Sequence, residues 1–425
     1  MLNKNNEREL AYVVRVNDVK PIIGRDRVEC AVVNGWTIMV RKDVFKPGSL
    51  GIYFEIDSKT PETEPFEFLE AKKYKIKTQK YSLKDENGKK AGQFWSQGLL
   101  MPASDFGGFE YTDGDGQTYL HFDKTSYFKE NVDYKEGDFL TKVLGVTYAD
   151  AEDNARKAKV NPDAKINAAL ARHPKIAKKY GKMIKKNKVL RALFVLLFGK
   201  KRDNETTFPT KFPYVKKTDQ ERCENMTWVL ADKTPYVVTQ KCDGSSGTYI
   251  LERKPFRKFE FYVCSRNVRQ LTPNQKSYYD DNHYWNVAFK YDLENKMKDY
   301  MKKHPDISYL CWQGEVCAPQ IQKNPQGLTE EHLFLFHCTD SNGRWAMLDA
   351  IKMWKEYGLE TVPVVDENYI LPDDFEEFKL SADGYYDPSV CEGKTKQKRE
   401  GFVYYKTTDP NFSFKNVSRK YLLKH

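Results

Sequence analysis

The sequence predicts an α+β protein: a small β-barrel first, a basic helical segment next, and a last domain that mixes strands and helices. Three observations predict it. Short runs of β-branched and aromatic residues, separated by turn residues, recur over the first third of the chain. Between Ala151 and Arg202 there are 16 Lys/Arg against 3 Asp/Glu, so this stretch differs in charge from everything around it. From about Thr206 onward, strand-like and helix-like segments alternate. The predicted domains are 1–149, 150–205 and 206–425.

In the first domain Tyr12–Val16, Val28–Val33, Trp36–Val40 and Gly51–Ile56 read as strands. Asn34-Gly35 between the second and third is a hairpin signal, and Lys46-Pro47-Gly48 marks the next turn. The lysine-rich stretch from Asp57 to about Leu99 reads as a long loop that returns to the barrel at Trp95–Pro102. In the second segment, 164–172 and 174–198 read as helices set off by Asn161-Pro162 and His173-Pro174. Its basic charge suits a solvated linker or a phosphate-backbone contact, for which Lys178, Lys179, Lys185 and Lys186 are candidates. A membrane-surface helix is a third reading. In the last domain 286–303 and 347–357 read as helices, and 309–317, 333–339 and 401–407 as strands.

Composition bounds the function. The chain has 425 residues and a net charge of +10, a prior for a polyanionic partner. No apolar run approaches the roughly 18 residues of a membrane span, and the N-terminus lacks the apolar stretch of a secretory signal. The eight cysteines form no CxxC pair, which fits reduced thiols and a cytoplasmic protein. His332 and His337 lie near Cys338, but in a strand of mixed facing, which disfavours a structural zinc.

The chemistry concentrates in Lys241-Cys242-Asp243-Gly244-Ser245-Ser246-Gly247, a small-residue turn between the strand-like Tyr236–Gln240 and Thr248–Leu251. A lysine on the floor of a pocket can be desolvated and made nucleophilic. Lys-x-Asp-Gly is a weak signal alone, and its bland reading is a β-turn. Its companions strengthen it: Arg266 in Ser265-Arg266-Asn267, Glu315 in a buried strand, the aromatic run Leu333–Phe336, Glu400 before Gly401-Phe402-Val403, and Lys415 in the last strand. A lysine, two carboxylates, an arginine and a second lysine suit nucleotidyl transfer. An amine attacks an α-phosphorus, pyrophosphate leaves, and cations meet the charge that builds on phosphate oxygens. Burial and a nearby cation such as Lys415 would depress the pKa of the attacking lysine.

These segments, in this order, resemble the motifs of the covalent nucleotidyltransferases: DNA ligases, RNA ligases and mRNA capping enzymes. The resemblance extends upstream. Tyr53–Ser58, Ser96–Leu99, Leu144–Thr147 and the Phe212–Arg222 stretch are similar to the Deinococcus-type ATP-dependent RNA ligases, with an N-terminal OB domain. Only 10 residues follow Lys415, where DNA ligases and capping enzymes carry their OB domain, so the order of domains favours the RNA ligase type. The resemblance implies an OB-like barrel, then a ligase-type nucleotidyltransferase domain of antiparallel sheets and helices. It makes Lys241 the adenylated nucleophile, and Asp243 and Gly244 part of the nucleotide site. Arg266 would bind the ribose or the 5′-phosphate end, Glu315 the ribose, and Phe336 would stack on adenine. Glu400 would assist a metal, and Lys415 would contact the α-phosphate. ATP with Mg²⁺ or Mn²⁺ is implied, as is RNA with 5′-phosphate and 3′-hydroxyl ends, sealed by a monomer with no membrane partner. The barrel is expected to serve sealing but not self-adenylylation. This chain departs from the family at Gln240, where a glutamate is common, and at Val417, where a second lysine is common; whether the nearby Lys420 substitutes is left open by the sequence. The alternatives are a DNA-preferring or GTP-using enzyme, or a non-catalytic nucleic-acid-binding protein on a ligase scaffold.

Overall fold

The structure, a computed structural model, describes residues 1–5, 7–149, 220–266, 269–270, 282–392 and 397–423, with parts of 176–198. Residues 1–147 and 207–425 form one compact unit, and 148–206 a second. In the second unit Lys188–Phe198 is an α-helix. The predicted helix over 164–172 lies outside the described residues. Among the described residues no helix is long and apolar enough to cross a membrane. All eight cysteines are unpaired.

The N-terminal half is built from short antiparallel sheets. Leu50–Phe54 pairs with Ala11–Arg15 on one side and Leu99–Met101 on the other. Asp18–Ile22, Arg25–Val33 and Trp36–Arg41 make a second sheet, with Asn34 in the left-handed region at the predicted Asn34-Gly35 turn. A side chain at Gly35 would run into the Phe375 ring and the Glu224 backbone, so the hairpin tip touches the C-terminal half directly. The stretch expected to be a loop departs from that expectation. Gln79–Lys84 and Lys90–Ser96 form a hairpin across Asp85–Gly88. Its lysines occupy exposed positions of alternating strands, so a lysine-rich composition hid a period of two.

The C-terminal half contains two five-stranded sheets. The first runs Glu221–Arg222, Ser413–Val417, Gly401–Lys406, Tyr236–Lys241, Val364–Tyr369. The second runs Lys258–Ser265, Ser245–Lys254, Tyr309–Cys317, His332–Asp340, Gly343–Arg344. One large core joins Val237, Val403 and Tyr405 of the first sheet to Trp312, Leu333 and Leu335 of the second and to the helices His283–Lys290, Leu293–Lys303 and Met347–Glu356. The single helix expected over 286–303 is two. The chain breaks at Asp292, whose φ of 50° lies in the left-handed region. A smaller core, with Tyr236, Tyr404 and Phe414, is capped by Phe378 of the helix Phe375–Ser381.

The two halves share a core. Tyr12, Trp36, Ile38 and Tyr53 pack in one apolar cluster with Val417, Tyr421 and Leu422 from the end of the C-terminal half. Beside it lies an ionic knot. Glu55, fully buried, receives the Met1 ammonium, Arg8 Nη1 at 2.9 Å, Tyr12 Oη at 3.1 Å and Asn225 Nδ2 at 3.1 Å. Burial opposes ionisation of Glu55, but the Met1 ammonium, Arg8 and Arg222 outweigh it and hold the carboxyl far below the usual range.

Candidate active site

Lys241 is the last residue of Tyr236–Lys241 in the first sheet, and Ser245 begins Ser245–Lys254 in the second. Cys242-Asp243-Gly244 is therefore a crossing from one sheet to the other, not the turn of a hairpin. The crossing is tight: a Cβ on Gly244 would lie 2.5 Å from the Val316 carbonyl oxygen and 2.9 Å from Glu315 Cγ. Glycine lets the chain pass against the Glu315 strand and so brings Lys241 and Glu315 together.

Strand register assembles the rest. Lys241 stands opposite Gly401, Thr239 opposite Val403, and Val403 opposite Lys415. Directly paired residues share a face, as do residues two apart, so Lys241, Val403 and Lys415 project from one face of the first sheet. Glu400 immediately precedes Gly401, and its Oε2 accepts from Lys241 Nζ at 2.9 Å. Lys241 keeps 24% of its side-chain exposure and Glu400 14%, so the pair faces an opening. On the second sheet Glu315 stands opposite Ser246 and Phe334. The register shifts next to it: Gly314 pairs with Leu335 and Gln313 with His337, which leaves Phe336 in a bulge, its carbonyl accepting from Tyr405 Oη at 3.4 Å. Asp243, in the crossing, accepts a hydrogen bond from the Tyr421 hydroxyl. Arg266 is exposed just beyond Ser265, which pairs with Gly247.

The electrostatics correct one expectation. Burial favours a neutral Lys241, but Glu400, Glu315 and Asp243 together outweigh it, so the amine is held above its ordinary value and not depressed. The acids respond in the opposite sense. Burial, then Glu400 and Asp243, push Glu315 up to about 8 against the pull of Lys241. Burial and Glu400 push Asp243 up to about 6, against the Tyr421 hydrogen bond and Lys241. Three acids gathered on Lys241 at an opening make a site that fits additional cations.

One further cation was not singled out from sequence. Arg222 pairs with Lys415 in a parallel register and donates from Nη2 to Asp57 at 3.1 Å. Its buried Nε and Nη1 have no hydrogen-bond partner, and unsatisfied buried donors point to a missing acceptor. Arg222 ends the Phe212–Arg222 stretch that carries the resemblance, but only the pairing with the Lys415 strand places it at the site. Lys420 does not take the place of the second lysine, because its ammonium is 2.8 Å from Asp383, while Val417 lies in the core shared with the N-terminal half.

Lys179 and Lys186 are exposed residues of the second unit, and Lys178 and Lys185 lie outside the described residues. His332 stands with Glu330 and Glu392, not with Cys338; its Nδ1 is 2.9 Å from Glu360 and its Nε2 3.3 Å from Glu392, an ion-pair network. His337 turns inward to Gln313 at 2.6 Å.

Comparison with known proteins bears on the fold that carries these residues. Residues 234–422 match the RNA ligase family model, and residues 10–103 match an OB-fold domain model. A search of curated protein sequences gives no match. Among solved structures the chain resembles the Naegleria gruberi RNA ligase with pyrophosphate, at 23% identity and a TM-score of 0.66 over 99% of both chains. A lysine-to-alanine variant of that enzyme with ATP and Mn gives a TM-score of 0.64 over 98% of both chains. A glutamate-to-alanine variant with AMP and Mn gives 0.65, over 98% of this chain and 99% of that one, both variants at 23% identity. The likeness is one of fold: an N-terminal OB-fold domain followed by a ligase-type domain of antiparallel sheets and helices.

Proposed function

We propose that this chain is an ATP-dependent RNA ligase that works through a nucleotide carried on Lys241. The observation that carries the reading is the placement of Lys241 at the crossing between two sheets, with Glu400 at 2.9 Å, Glu315 and Asp243 beside it, and Lys415 and Arg222 on adjoining strands of the same sheet. The RNA ligase match to residues 234–422 supports the substrate class.

In the first step the Lys241 amine attacks the α-phosphorus of ATP, a Nζ–P bond forms, the bond to the bridging oxygen breaks, and pyrophosphate leaves. The AMP then passes from Lys241 to the 5′-phosphate of an RNA end. A 3′-hydroxyl attacks that activated end, the strand is sealed and AMP departs. Lys241 must be neutral to attack. The acids around Lys241 hold the proton that burial disfavours, so as Lys241 attacks it passes that proton to Glu400, the acceptor of its hydrogen bond. Mg²⁺ or Mn²⁺, for which Glu400 with Glu315 and Asp243 supplies a matching excess of negative charge, would neutralise the phosphates when bound. Lys415 and Arg222 are the groups positioned to meet charge on the α-phosphate and the leaving pyrophosphate. Phe336, displaced in its bulge, is the candidate to cover the adenine, and Arg266 the candidate for the ribose or the 5′-phosphate end. The OB-fold domain and the basic second unit, including Lys178, Lys179, Lys185 and Lys186, would hold nucleic acid through its phosphates. The order of domains supports the Deinococcus-type subgroup, and eight unpaired cysteines support a cytoplasmic setting. A monomer suffices for this chemistry.

The test is incubation with α-labelled ATP and Mg²⁺, with GTP in parallel. Covalent label from ATP that disappears in Lys241→Ala is expected; label that survives this substitution would overturn the assignment. Sealing of 5′-phosphate RNA in nicked and single-stranded form then defines the substrate.

A further inference from the structure

We infer that Tyr421 is a positioning residue for the Lys241 reaction, tying the seating of the OB-fold domain to the carboxylate of Asp243. The inference rests on the ligase reading of the Lys241 site and extends it to a residue that none of its motifs contains.

Tyr421 belongs to a short helix, Arg419–Leu422, that closes the last strand. Its ring is buried in the cluster formed by Tyr12, Trp36 and Tyr53 of the N-terminal half, while its hydroxyl donates to Asp243 Oδ2. The same side chain thus touches the OB-fold core at one end and the crossing that carries the nucleophile at the other. The helix is pinned on both sides. Arg419 donates from Nε to Gln97 of the N-terminal half at 3.2 Å and from both terminal nitrogens to Glu376 at 2.6 and 2.8 Å. Ser418 caps the helix by accepting from Tyr421 N at 3.2 Å and donates to Asp383 Oδ1 at 2.7 Å.

Asp243 needs such a hold. It sits in a three-residue crossing, close enough to Glu400 for like-charge repulsion, and among the described residues the Tyr421 hydroxyl is the donor that directs its carboxylate. A donor fixed to a rigid apolar cluster sets that direction, and with it the geometry of the acids around Lys241. If the OB-fold domain shifts, Tyr421 shifts with it.

Tyr421→Phe keeps the ring in the cluster and removes only the hydroxyl. In single-turnover labelling with ATP and Mg²⁺, the maximal rate of Lys241–AMP formation is expected to fall about tenfold, with an unchanged half-saturating ATP concentration and an unchanged thermal midpoint. Gln97→Ala, which touches none of the acids, is expected to lower the same rate about threefold by loosening Arg419. A wild-type rate in Tyr421→Phe, or a rate loss that only tracks a lowered thermal midpoint in both variants, would overturn the inference. A wild-type chain that takes no label would instead remove the ligase reading itself.

Discussion

Glu55 and Glu315 are both glutamates surrounded by protein and set among charges, and their surroundings drive them in opposite directions. Glu55 is sealed between the two halves, where the Met1 ammonium, Arg8 and Arg222 hold it ionised. Glu315 lines the opening beside Lys241, where burial and two neighbouring acids push it up to about 8. One cluster is balanced within the chain and acts as a fastener. The other gathers three acids on Lys241 at an opening. Buried charge by itself says nothing about function; the sign of the imbalance, and whether it faces an opening, does.

Lys241→Ala should produce the largest effect, a loss of covalent label by more than about 10³-fold with little change in the urea midpoint. A large fall in stability instead would place Lys241 with the fasteners. Deleting residues 1–145 comes next. It strips the cover from Val417, Tyr421 and Leu422, each worth about 1.5–3 kcal/mol when buried, so the remaining domain should lose both stability and label formation. A truncated domain that unfolds at the full-length midpoint and labels at the full-length rate would break the link between the halves.

Glu55→Gln leaves the Met1 ammonium, Arg8 and Arg222 without their shared counter-charge. It should cost about 3–5 kcal/mol in urea unfolding, while Glu315→Gln should leave the ligand-free protein no less stable and impair labelling. The smallest effect is on pH dependence. A carboxyl raised in the folded state binds its proton more tightly there than in the unfolded chain. Its contribution is full below the ordinary carboxylate range and is lost as pH rises toward about 8. Glu55 does the reverse: its contribution is present above the ordinary range and is lost on acidification below it. In EDTA the unfolding free energy should therefore decline between about pH 5 and 8, by less than about 1.4 kcal/mol per pH unit for each raised carboxyl. Glu315→Gln should flatten that limb and leave the acid limb intact.

The strands Tyr309–Cys317 and Gly401–Lys406 and the helix Met347–Glu356 were legible because their hydrophobic periods are strong and their neighbours are turn formers. Gln79–Lys84 and Lys90–Ser96 were not, because lysine on the exposed face of a strand looks like the composition of a loop. The break at Asp292 was invisible for a related reason: Asn286 to Lys303 holds no proline or glycine to announce it.

The identities of the candidate groups were carried by the sequence alone: a lysine before Asp-Gly, an arginine, two glutamates and a last lysine, in a fixed order, are chemical facts that folding does not alter. What tertiary structure decided is what those groups experience. Lys-x-Asp-Gly is a crossing between two sheets because distant strands pair on either side of it. That crossing is what surrounds Lys241 with three acids and raises its proton affinity, where the sequence suggested a depressed one. Arg222 and Tyr421 join the site for the same reason. Their places follow from the register with Lys415 and from the core shared with the OB-fold domain, contacts across 193 and more residues that no local pattern encodes.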